Sequence, residues 1–134
     1  MTVQELSEKV VQPYGFTWVA SHFEGKRKNS NWKSQSVFAL DFDNGITFEA
    51  VSDRLKDYGL SCCFAYNTFS DSPELAKFRV VFQLGEVITD REVRRSIQLS
   101  LEALFPEIDK SCKDENRIFY GGKSLIFSDY DAYL

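Results

Sequence analysis

The chain has 134 residues, 43% hydrophobic and 27% charged with twelve Phe, which excludes disorder and gives one domain enough apolar material for a core. A net charge of −4 excludes a protein that coats polyanions over its whole surface, but not nucleotide chemistry through a bound metal. No apolar run reaches the roughly 18–20 residues of a membrane span and the N-terminus lacks a basic-then-apolar leader, so a cytoplasmic protein with no membrane partner is expected.

Thr2 to Glu5 is a capping box, and Val3, Leu6 and Val10 follow at helical spacing until Pro13. "YGFTWVASHF" reads as a strand. "EGKRKNSNWKS" is polar and basic and reads as a mobile loop; its cations and its one ring make Lys26, Arg27, Lys28 and Trp32 the nucleic-acid-binding candidates. "VFALDFD" is the strongest strand, closed by Asn44-Gly45. From Thr47, a helix carries Phe48, Val51, Leu55 and Tyr58 on one face and stops at Gly59. "LSCCFAYNT" and "FRVVFQL" are consecutive strands joined by "FSDSPELAK". A further helix starts at Asp90 with Val93, Ile97, Leu101 and Leu104 on one face. "PEIDKSCKDEN", "RIFYGGK" and "SLIF" complete the chain with turns and short strands. The three cysteines, two of them adjacent, fit neither a disulfide framework nor a zinc spacing and read as core filling.

From Val37 the order is strand, helix, strand, strand, helix, strand. That is an α+β, ferredoxin-like (RRM-like) palm, β-α-β-β-α-β, preceded by an N-terminal helix and strand, in a single domain spanning residues 1–134. Helices are expected on one face of its sheet, with the other face open. Asp41 and Asp43 alternate on one strand and so share a face. Two like charges so close become favourable when a divalent cation neutralises them, although Asp43-Asn44-Gly45 also reads as plain turn chemistry. Asp109, in "FPEID", is the candidate third carboxylate of a two-metal site. Lys77 and Arg79 flank Phe78 and share a face, Arg117 precedes "IFYGG", and Lys123 follows two glycines. These four are candidate phosphate contacts, and Gly-Gly would let backbone approach a ligand.

"ALDFDNG", "YNTFSDSPELAKFRVVFQL" and "LFPEIDKSCKDENRIFYGGK" resemble, in order, the catalytic core of the archaeo-eukaryotic primase superfamily, in particular the primase-polymerase domains of phage and plasmid replication proteins. The likeness covers residues 37–123. It implies template-directed nucleotidyl transfer with two divalent ions, magnesium or manganese, with nucleoside triphosphates and a DNA template or primer as partners, and a replicative helicase supplied separately. It implies Asp41, Asp43 and Asp109 as catalytic metal ligands, and Ser70 and Asp71 on the nucleotide-binding motif beside Lys77, Arg79, Arg117 and Lys123. Asp71 stands where the family has a phosphate-contacting His, which leaves a degenerate, non-catalytic nucleotide- or nucleic-acid-binding module as the alternative. "LDFDNGIT" is also similar to the motif of haloacid-dehalogenase-type phosphatases, but consecutive strands break that fold's alternation. A single histidine, His22, excludes the His-x-His motif of rolling-circle endonucleases.

Overall fold

A computed structural model describes residues 1–106, 108 and 117–134. Three helices are each set by a local cap. In α1 (Val3–Val10), Thr2 Oγ1 accepts from Glu5 N at 3.1 Å and Glu5 Oε1 accepts from Thr2 N at 3.4 Å. Thr47 caps α2 (Phe48–Asp57) by accepting from Ala50 N, and Asp90 caps α3 (Arg91–Leu104) by accepting from Glu92 N. These are the helices that periodicity predicts.

The strands are β1 (Trp18–Val19), β2 (Ser21–Phe23), β3 (Trp32–Phe42), β4 (Phe64–Thr68), β5 (Phe78–Ile88), β6 (Ile118–Phe119) and β7 (Gly122–Ser128). Five form one antiparallel sheet in the order β2-β3-β5-β4-β7, and β1 pairs with β6 in a second sheet. The central order β3-β5-β4 suits a split βαβ core. The expected fourth strand, however, does not lie beside β3: β7 pairs with β4 at the opposite edge. The place beside β3 is taken by β2 and, next to the strand end, by an antiparallel bridge between Phe42 and Ile108.

Two expectations need correction. The strand expected over "YGFTWVASHF" is a turn followed by two short strands, because Tyr14 N and Gly15 N bond back to Val11 O and β1 and β2 join different sheets. The expected basic loop ends sooner: pairing with β2 extends β3 back to Trp32, which is buried with the Arg91 guanidinium 5.7 Å from its ring.

The face expected to be open is covered. Phe38, Leu40, Phe42, Phe78, Val80 and Phe82 pack beneath Val51 and Leu55 of α2 and Leu101 of α3. Their strand neighbours Ala39, Val81, Phe64 and Tyr66 pack on the other side against Val10 of α1, Trp18 of β1 and Phe119 of β6. The sheet is therefore the middle of three layers, and alternate residues of β3 and β5 enter different cores. Asp41 and Arg79, opposite each other in the β3–β5 register, face the second core.

Candidate functional site

At the end of β3, where β4 turns into β5, the structure has a cavity of about 300 Å³. Asp41, Asp43, Ser70, Lys77 and Arg79 line it, with Phe42, Thr68, Phe69, Phe78, Tyr120 and Gly121. The sequence-predicted acids 41 and 43 and cations 77 and 79 thus meet at one place. Asp109 lies outside the described residues; its predecessor Ile108 is bridged to Phe42, between the two acids.

Asp41 and Arg79 are buried, 7% and 5% exposed, and bound to each other. Arg79 donates through Nε to Asp41 Oδ1 and through Nη2 to Oδ2 at 3.0 Å, a two-pronged geometry that suits a guanidinium and a carboxylate. Arg117 Nη2 adds a third donor to Asp41 Oδ2 at 3.4 Å. Arg79 Nη1 donates to the Tyr66 hydroxyl at 2.7 Å and to the Tyr120 carbonyl at 2.6 Å. Tyr66 in turn accepts from Trp18 Nε1 at 3.0 Å and donates to Tyr120 O at 2.9 Å. The Arg79 guanidinium also lies 4.8 Å from the Phe119 ring centre.

Burial works to lower the Arg79 pKa. The hydrogen bonds and charge of Asp41, joined by Tyr66, outweigh it and hold the guanidinium above its ordinary value. Burial likewise pushes the Tyr66 phenol up, against the opposing charge of Arg79. Both groups stay in the forms this network needs, arginine charged and phenol neutral.

Asp43 is different: it lies just past the strand end and is exposed on the cavity wall. Magnesium commonly takes one or two carboxylates and fills its other positions with water and substrate phosphates. The described donor set fits one divalent cation at Asp43. It does not fit a pair as it stands, since both Asp41 oxygens are engaged by Arg79. Among the described residues, no three His, Cys, Asp or Glu side chains gather into a metal cluster.

Asp71 does not line the cavity. Its carboxylate turns into its own loop, accepting from the backbone N–H of Lys77 at 2.8 Å and from Asn67 Nδ2 at 3.4 Å. Its carbonyl accepts from Lys123 Nζ at 2.5 Å, so Lys123 ties β7 to the β4–β5 loop. Packing requires glycine at both positions, and Gly121 also lies on the cavity wall. A methyl group on Gly121 would collide with the backbone of Gly15 and Val10, and one on Gly122 with Asn67 O.

The basic stretch Lys26–Lys28 is exposed but precedes the opposite end of β3. Ten strand steps separate Trp32 from Phe42, about 33 Å at roughly 3.3 Å per residue. That loop and the cavity are separate places. Sequence reasoning missed Trp18, the Tyr120 carbonyl and the part that the Tyr66 hydroxyl plays in this network. Tyr66 has a local signal in the alternation of β4, but a main-chain acceptor such as Tyr120 O leaves none.

The chain matches no family model and no curated protein. Among solved structures it is similar to the AEP domain of the cyanophage S-2L primase-polymerase. The TM-score is 0.66 at 15% identity, over 99% of this chain and 72% of that one. The chain therefore has the fold of a primase-polymerase AEP domain, with the cavity described above at the end of its central strand.

Proposed function

We propose that this protein is a primase-polymerase-type nucleotidyltransferase that binds a nucleoside triphosphate in the cavity at the end of β3 and transfers the nucleotide to a DNA primer on a template. The observation that carries the reading is the lining of that cavity. An exposed acid, Asp43, lines it together with Ser70 and Lys77 on an AEP-type fold. Lys77 supplies positive charge for the phosphates, and Ser70 a hydrogen bond. Asp43 would hold a magnesium or manganese ion, which neutralises phosphate charge when bound.

In the two-ion form of the reading, Asp41 and Asp109 are the further carboxylates, and Asp41 then exchanges Arg79 for the nucleotide complex. Arg79 and Arg117, freed together, join Lys77 as phosphate contacts. Asp71 does not line the cavity, and its carboxylate turns into its own loop instead of toward the phosphates. Phage- or plasmid-type DNA replication, with a helicase acting separately, is the setting that fits this chemistry.

A second reading is favoured by one observation, the Asp41–Arg79 pair. If that pair never opens, the domain binds nucleotide without transferring it. Titration with a fluorescent nucleoside triphosphate in magnesium tests the shared premise. Losing one charge-assisted phosphate contact costs on the order of 1.5–3 kcal/mol, so Lys77→Ala should weaken binding by about tenfold or more. Affinity unchanged in Lys77→Ala would remove the nucleotide from this cavity.

A further inference from the structure

The structure carries a second feature beside the cavity, which the basic loop at the far end of β3 does not explain. Four aromatic side chains stand out from the surface close together: Tyr14 (60% exposed), Phe16 (51%), Phe69 (48%) and Tyr120 (68%). Phe69 and Tyr120 line the cavity, while Tyr14 and Phe16 come from the turn after α1. The two pairs adjoin through their glycines. A methyl group on Gly15 would stand 3.1 Å from the tip of the Phe69 ring, and Gly121, next to Tyr120, lies against the Gly15 backbone. Tyr14 and Phe16 meet edge to face with centres 5.7 Å apart, and Lys9 Nζ sits 5.9 and 5.8 Å from those centres. Lys77 on the cavity wall and Lys123 on β7 add positive charge to the same side of the molecule.

Exposed rings with interleaved ammonium groups are what a single strand recognises: bases stack on ring faces while lysines meet phosphates. A duplex keeps its base faces stacked away from such rings. We infer that Tyr14, Phe16, Phe69 and Tyr120, with Lys9, form a stacking surface that leads single-stranded DNA to the mouth of the cavity. Phe69 and Tyr120 stand nearest the nucleotide, with Tyr14 and Phe16 holding bases further along the strand. This rests on the nucleotide-binding reading of the cavity and adds the place where the strand lies.

The test is fluorescence anisotropy with a single-stranded oligothymidylate of about 16 nucleotides, beside a duplex of equal length. The parent protein should prefer the single strand. Tyr14→Ala and Phe16→Ala, both at exposed turn positions outside the cavity, should each weaken strand binding at least about fivefold and leave triphosphate affinity unchanged. Lys9→Ala should flatten the dependence of strand binding on salt. Strand affinity equal to the parent's in both ring variants overturns the inference. So does a parent that binds triphosphate but no strand, which leaves the proposed function standing. Self-association that the ring variants abolish, without strand binding, would make the patch a protein interface and overturn it too. A parent that binds neither triphosphate nor strand takes the proposed function down with it.

Discussion

A carboxylate and a guanidinium buried together, as Asp41 and Arg79 are, take the place of water for each other through paired hydrogen bonds. Without Asp41, Arg79 would keep only the neutral Tyr66 hydroxyl and Tyr120 carbonyl for a buried charge, and leaving such a charge without its counterion costs far more than the pair gains over an apolar substitute. The sequence reading gives Asp41 to a metal and Arg79 to a phosphate; in the structure each is the other's partner. Asp41→Asn should therefore destabilise the fold by roughly 3–5 kcal/mol, because Arg79 stays buried opposite a neutral amide. Urea unfolding of the two proteins measures this. A loss under about 1 kcal/mol would mean that the pair is loosely held and readily available for exchange. Asp71 belongs to the same kind of residue: its carboxylate closes the β4–β5 loop onto the Lys77 N–H. That hydrogen bond gives the Asp71 carboxylate a structural part in the loop.

β4 shows how a short strand serves two cores at once. Cys62 and Cys63, just before it, are buried on opposite sides of the sheet, Cys62 under α2 and α3 and Cys63 toward α1. Burial pushes both thiols from 9.0 up to about 12, the Cys62 charge adding to the effect on Cys63. The unfolded chain ionises near pH 9 while the folded chain keeps its thiols protonated, so above pH 9 the unfolded state binds fewer protons. Their contribution to stability is thus complete below pH 9 and is lost as pH rises through about 12. Stability measured between pH 8 and 11 should fall with pH, and the fall should flatten in Cys62→Ala and Cys63→Ala. Slopes identical to the parent's would show that the thiols ionise in the folded protein as freely as in water. The helices are legible in the sequence because Thr2, Thr47 and Asp90 cap them within three residues. The strand order is not, because β7 finds β4 across more than fifty residues and nothing local to Gly122–Ser128 names that partner. The covered second face escapes for the same reason: α1 and the β1–β6 pair reach it only through long-range packing.

For the molecule as a whole, three layers leave one end of the central sheet open, and the candidate groups gather there. The convergence of Asp41, Asp43, Ser70, Lys77 and Arg79 is legible because strand alternation and the order of motifs place them. Their pairing is not, since a strand register across 38 residues decides which acid meets which arginine. Likeness to a primase-polymerase domain shows the fold, and the function proposed for it stands on the residues of the cavity. Template-directed incorporation, run with magnesium and with manganese on a primed single strand, is the direct test of nucleotidyl transfer. The parent should extend the primer, and Asp43→Ala should lower the rate by about a hundredfold or more, as loss of charge stabilisation at a reacting phosphate does. A parent that binds triphosphate yet extends nothing with either metal, or an Asp43→Ala variant as active as the parent, would contradict it.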